Sequence, residues 1–190
     1  MNTVMTPTKD LPPCFGKEWD RNSSECAGGP NQSRVNPRDA RAPYYLGNLF
    51  YDRKRHREAI RCWERAARLD GFSIVWRNLG IAYYNVANRP AKARAAYAKA
   101  FRLNPSDARL LYERDQLAKR LGESVAQRLR LLEQHRPLIR QRDDLSVEYC
   151  ALLNQAGRSD DALAILSARK FQPWEGGEGL ALGQHVRTHL

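Results

Sequence analysis

A period of 33 to 34 residues runs through the middle of this chain, and it leaves few folds open. Ala59 and Ala93, Trp63 and Tyr97, Ala66 and Ala100, and Gly71 and Pro105 stand 34 apart, while Leu46 and Leu79, and Gly47 and Gly80, stand 33 apart. In the stretch from Trp76 to Pro105, the residues Trp76, Leu79, Gly80 and Tyr83 share one face of a helix. Ala93, Tyr97 and Ala100 share one face of a second helix, and Pro105 closes the unit. Bulky, small and aromatic positions alternate, so two antiparallel helices can interlock. One such unit cannot bury its own apolar face, so it requires stacked neighbours.

The order Trp76, Leu79-Gly80, Tyr83, Ala93, Tyr97, Ala100, Pro105 resembles the tetratricopeptide repeat. The resemblance implies an all-α fold, a right-handed solenoid of antiparallel helix pairs. Units are expected over about 39–71, 72–105, 106–143 and 144–170, with a half unit at 178–190, together forming a repeat domain 39–190. In the first unit Asp39 suits an N-cap and Pro43 an early helical position, and Gly71 stops the second helix. Ser73 is expected to cap the next helix, and Pro90 to open its partner. The third unit is degenerate. Leu110, Leu111, Leu117 and Leu121 make a stripe that Gly122 breaks, Ser124 with Gln127 forms a capping box, and Pro137 ends or kinks the helix that follows. The fourth unit carries Val147, Tyr149, Cys150 and Leu153, then Ala162, Ile165 and Leu166. Cys150 takes the place of Gly47 and Gly80, where a small residue packs. Leu182-Gly183 repeats the Leu-Gly signature, and the chain reaches Leu190 without a second helix, which reads as part of a longer protein.

Residues 1–38 are rich in Pro, Gly, Ser and Asn and show no helical or strand period, so they read as a disordered leader. This leader holds five Lys and Arg against four Asp and Glu, so nearly all of the net charge of +11 falls on the repeats. Such a charge favours acidic surfaces or polyanions. No run is long and apolar enough to span a membrane, and no secretory signal is visible. Cys14, Cys26, Cys62 and Cys150 form no C-x-x-C pair, which points to a reducing, cytoplasmic setting without a zinc knuckle.

Three strings resemble, more narrowly, the repeat region of large bacterial proteins that carry an uncharacterised, sugar-related domain ahead of their repeats. They run from Asp39 to Asn48, from Val75 to Gly80, and from Pro173 to Gly179. The upstream domain of that group has no counterpart here. The resemblance implies that a loop holding Trp174, Glu175 and Glu178 borders a missing domain, which makes the chain an accessory part of a carbohydrate-active enzyme in one alternative reading.

Stacked repeats build an inner wall from the first helix of each pair. On that wall Arg41, Tyr44, Asn48 and Tyr51 are expected from the first unit, and Arg77, Ile81, Tyr84 and Asn85 from the second. Arginine beside tyrosine can grip a carboxylate while stacking on apolar groups, which suits a peptide with an acidic end. Asn48 and Asn78 sit where some repeats of this kind clamp a peptide carboxylate, but Tyr44 replaces the first lysine of that clamp. Arg57, Arg61, Arg65 and Arg68 form a basic stripe on the outward face of their helix, and no aromatics interleave to stack bases, so nucleic acid is the third reading. His185 and His189 have a zinc-compatible spacing but no further ligand motif. No catalytic order stands out, and no cofactor or metal is expected. The sequence therefore points to a non-catalytic protein-interaction scaffold that takes a protein or peptide, and whose exposed C-terminal helix also mediates self-association.

Overall fold

A computed structural model describes residues 38–172, 177 and 179–189; the leader up to residue 37, and Trp174, Glu175 and Glu178, lie outside the described residues. Among the described residues the chain is entirely helical: α1 (Arg41–Asp52), α2 (His56–Asp70), α3 (Ser73–Asn85), α4 (Pro90–Leu103), α5 (Ala108–Arg120), α6 (Val125–Glu133), α7 (Arg136–Ile139), α8 (Asp143–Gln155), α9 (Ser159–Ser167) and α10 (Leu180–Arg187). α1 packs on α2, α3 on α4 and α8 on α9; α2 and α4 each also touch the helix that follows, and α10 rests on α8 and α9. This is an antiparallel helix-pair solenoid.

The pairs interlock where the sequence opposes a glycine to an aromatic ring. A Cβ placed on Gly47 would lie 2.5 Å from the Trp63 indole, and one on Gly80 would lie 2.7 Å from the Tyr97 ring. Ala59, Trp63 and Ala66 therefore bury the inner face of α2, while Arg57, Arg61, Arg65 and Arg68 are exposed on the other. The Trp63 indole N–H is satisfied within the core, donating to the Tyr44 carbonyl at 3.2 Å and to Asn48 Oδ1 at 3.0 Å. Cys150, in the corresponding place on α8, is buried against the Ala162 carbonyl, and burial pushes its thiol up to about 12, so it behaves as a small apolar residue.

Several helix boundaries follow local chemistry. Pro90 opens α4, and Ser124 and Gln127 bond each other's backbone as a capping box. Three boundaries differ from expectation. The cap position of α1 belongs to Ala40, which makes no side-chain capping bond, and Asp39 accepts the Arg41 N–H from one residue before it. Ser73 is the first residue of α3 and makes no capping bond; the cap position belongs to Phe72. Gly71 ends α2 at φ −77°, not in the left-handed region. Space is the reason for this glycine, because a Cβ would meet Trp76 Nε1 at 2.5 Å.

The third pair departs most from regular geometry. α6 stops at Glu133, and Pro137 lies in the first turn of a separate four-residue helix, α7. Here the core is tied by charge. Arg128 donates from Nε to Asp115 Oδ1 at 3.0 Å, and from Nη2 to Asp115 Oδ2 and to Glu148 at 2.6 Å each. Asp115 has no solvent contact, and Arg128 is 5% exposed. Burial pushes the Asp115 carboxyl up, against the pull of Arg128. Burial also raises Glu148, but hydrogen bonds from Lys119 and Arg128 outweigh it and hold this carboxyl below its usual range.

Candidate functional site

The first helices of successive pairs stand side by side, and polar bonds join each to the next. Asn78 Nδ2 on α3 donates to Asn48 Oδ1 on α1 at 3.2 Å. Arg77 on α3 grips Glu113 on α5 at 2.6 and 2.5 Å. Lys119 on α5 donates to Glu148 on α8 at 2.9 Å, and Asn154 on α8 donates to the carbonyl and amide oxygens of Gln184 on α10, both at 3.3 Å. These bonds make the first helices one polar wall.

The residues expected on that wall divide into two groups. Arg41 is exposed and bonded to Asp39 beside it. The Tyr44 ring meets Phe72 edge-on at 5.1 Å, and Tyr51 lies against His56 at 4.9 Å and Trp63 at 5.4 Å. Asn48 is engaged with Trp63 and Asn78, and Arg77 with Glu113, so these polar groups serve the wall itself. Ile81, Tyr84 and Asn85 form the second group. They line a cleft of about 240 Å³ between α3 and α5, with Tyr97, Tyr112, Gln116 and Arg120.

The cleft contains a group the sequence reading did not single out. Gln116 Nε2 is buried and makes no hydrogen bond among the described residues. A buried amide donor without an acceptor costs about 1–3 kcal/mol, so its position favours a ligand that supplies a carbonyl or carboxylate oxygen. Arg120 lies 5.9 Å over the Tyr84 ring at the rim. Burial raises the hydroxyls of Tyr97 and Tyr112, which stay protonated and available as donors. The signal that could have found these residues was the i, i+4, i+8 recurrence of Tyr112, Gln116 and Arg120 between the leucine positions of α5.

The rings of His185 and His189 lie 5.0 Å apart, and among the described residues no group of three or more His, Cys, Asp or Glu side chains could hold a metal ion. Burial raises the Cys62 thiol as well. Among the described residues no helix is long and apolar enough to cross a membrane. The loop residues Trp174, Glu175 and Glu178 lie outside the described residues.

No family model matches the chain. Solved structures do. One is that of YrrB, described as a TPR protein with an unusual peptide-binding site, with TM-score 0.63 and 21% identity over 81% of this chain and 78% of that one. Two structures of MamA match with TM-scores of 0.56 and 0.58, each at 17% identity, over 80% and 81% of this chain and 76% and 82% of theirs. At these identities the likeness is one of fold, and the chain has the fold of tetratricopeptide-repeat proteins.

Proposed function

We propose that residues 39–190 form a non-catalytic interaction scaffold that receives an extended peptide on the first-helix wall, centred on the cleft between α3 and α5. The observation that carries this reading is the buried Gln116 Nε2, without a hydrogen-bond partner among the described residues, beside Ile81, Tyr84 and Asn85. A peptide backbone supplies the acceptor that this donor lacks, and Tyr84, Tyr112 and Arg120 offer apolar and cationic contacts to its side chains. The solved likeness to YrrB, described as having a peptide-binding site, supports a peptide as the ligand class. The net charge of +11 favours an acidic one. The test is a peptide-display selection on the full chain, followed by titration of the selected sequences. Gln116→Leu is expected to weaken binding by about tenfold, the loss of one buried hydrogen bond, without lowering the melting temperature. Peptides that bind Gln116→Leu and Tyr84→Ala as tightly as the parent would sink the assignment.

The proposal extends to self-association through α10. Leu182 is 67% exposed and Val186 51%. Where a second-helix aromatic covers Gly47 and Gly80, nothing lies within 4 Å of the Cβ position of Gly183. Two copies of α10 packed through Leu182, Gly183 and Val186 would cover that face. Light scattering across a concentration series is expected to show dimers that Leu182→Ser with Val186→Ser dissolves. A parent chain that stays monomeric at the highest concentrations would refute this part.

A further inference from the structure

The second helix of a regular pair also shields the first helix of the next. α2 runs on to Asp70 and lies along α3, where the Tyr83 hydroxyl donates to Glu64 at 2.7 Å. Further along, a tyrosine hydroxyl of α8, that of Tyr149, likewise donates to a glutamate of α6, Glu133, at 3.5 Å, although Tyr149 stands one turn before the place that Tyr83 holds on α3. α6 ends at that glutamate, whereas α2 continues past Glu64 from Arg65 to Asp70. α8 has also lost bulk on this face: counting from Cys150 and Gly80, Ser146 stands where α3 has Trp76.

What remains is a cleft of about 1090 Å³ between α7, α8 and α9. Ser146, Tyr149 and Leu153 line it from α8, and Asp161, Ala164 and Ile165 from α9, with Ala168 at the C-cap of α9. Each set occupies one face of its helix over two turns, about 10 Å of rise. The rim holds five cations, Arg136, Arg140, Arg158, Arg169 and Lys170, against one carboxylate, Asp161. Arg158 is bonded to Glu133 and Asp161, and Arg169 to Asp143 and Ser146. Arg136 reaches Glu133 only at 3.7 Å, and Arg140 and Lys170 have no acidic partner among the described residues. Arg158 meets Glu133 at the end of α6, three residues before α7 begins, and Arg169 donates to the Arg140 carbonyl just after α7, so the cations sit at both ends of the cleft.

We propose that this cleft receives an acidic, amphipathic helical segment of a partner protein, laid where the second half of α6 would lie. Two packed helices with alanines at the seam accept a third helix through its i, i+3 and i+4 apolar residues. Acidic residues flanking that stripe meet Arg140 and Lys170 at one end and Arg136 at the other. A single-headed anionic amphiphile would use cations gathered at one mouth, and here they are divided.

The test uses the full chain and a fluorescein-labelled peptide of about fourteen residues, long enough to form a helix when docked. The peptide carries leucine at i, i+3, i+4 and i+7 with glutamate on both flanks, and a matched peptide carries lysine in place of glutamate. Ala164, Arg140 and Lys170 are exposed, so the variants Ala164→Trp and Arg140→Glu with Lys170→Glu leave the core intact. Anisotropy is expected to show saturable binding of the acidic peptide, weakened by about tenfold or more in both variants and unchanged in Gln116→Leu. Failure of the acidic peptide to saturate, equal binding of the lysine peptide, or indifference to both variants would each overturn the proposal. So would saturable binding of dodecanoate, lost in the same variants, in place of peptide binding.

Discussion

Replacing Asp115 by alanine is expected to destabilise the array by about 3–5 kcal/mol, the cost of leaving a buried charge without its partner. The Asp115 side chain has no solvent contact and takes two of the Arg128 donors. After the substitution the guanidinium, itself 5% exposed, keeps only Glu148. Water cannot replace the lost carboxylate without opening the junction of α5, α6 and α8, where Leu111, Leu129 and Leu132 pack. Thermal melts measure the effect, at about 2–4 °C per kcal/mol for a chain of this size. The double variant Asp115→Leu with Arg128→Met is expected to recover most of the loss, because an apolar pair has no desolvation penalty to offset. Glu148 then keeps Lys119 at 2.9 Å. A single variant within about 1 kcal/mol of the parent, the range of a solvated pair, would show that the triad is solvated.

The same triad shows where the sequence stops being legible. The pairs α1–α2 and α3–α4 could be read because one position decides each contact: a glycine stands opposite a ring, and the period repeats it. In the third pair that signature is gone, and the junction rests on Asp115 and Arg128. Charged residues are almost never fully buried unless paired, so each alone reads as surface, and the 13-residue separation of this pair announces nothing. Pro137 did mark the break after α6, but not that Leu138 and Ile139 would turn back into the core.

The candidate wall was legible to a similar depth. Helical spacing puts Arg41, Asn48, Arg77 and Tyr84 on first helices, but it does not say which polar groups remain free. Asn48 is taken by a residue 15 positions away and Arg77 by one 36 away. Gln116, whose Nε2 has no hydrogen-bond partner among the described residues, lies on a helix of the third pair, where the Leu-Gly signature is missing. Long-range pairing therefore separates residues that build the wall from residues that can bind to it.

Gly80→Leu is expected to destabilise the second pair by about 1–3 kcal/mol through overpacking. A Cβ at this position would lie 2.7, 2.8 and 3.2 Å from three atoms of the Tyr97 ring, before any γ or δ carbon is added. Tyr97 has little room to retreat: it is 7% exposed and packs in the cluster with Leu79, Tyr83 and Ala93. Its ring also lines the cleft that holds Gln116, so a displaced Tyr97 should weaken peptide binding along with stability. The substitution works against helix propensity, which favours leucine over glycine by about 0.5–1 kcal/mol, so a net loss isolates the steric term. Gly183 provides the control. It carries the same Leu-Gly signature on α10, yet nothing lies within 4 Å of its Cβ position. Gly183→Ala is therefore expected to stabilise α10 by up to about 1 kcal/mol through propensity alone, while Gly80→Ala destabilises the array. Melting curves for Gly80→Ala, Gly80→Leu and Gly183→Ala, with hydrogen exchange along α10, decide the matter. If the two alanine variants shift stability in the same direction, ring contact at Gly80 is not what requires a glycine there, and the pairing of α3 with α4 through Tyr97 is wrong.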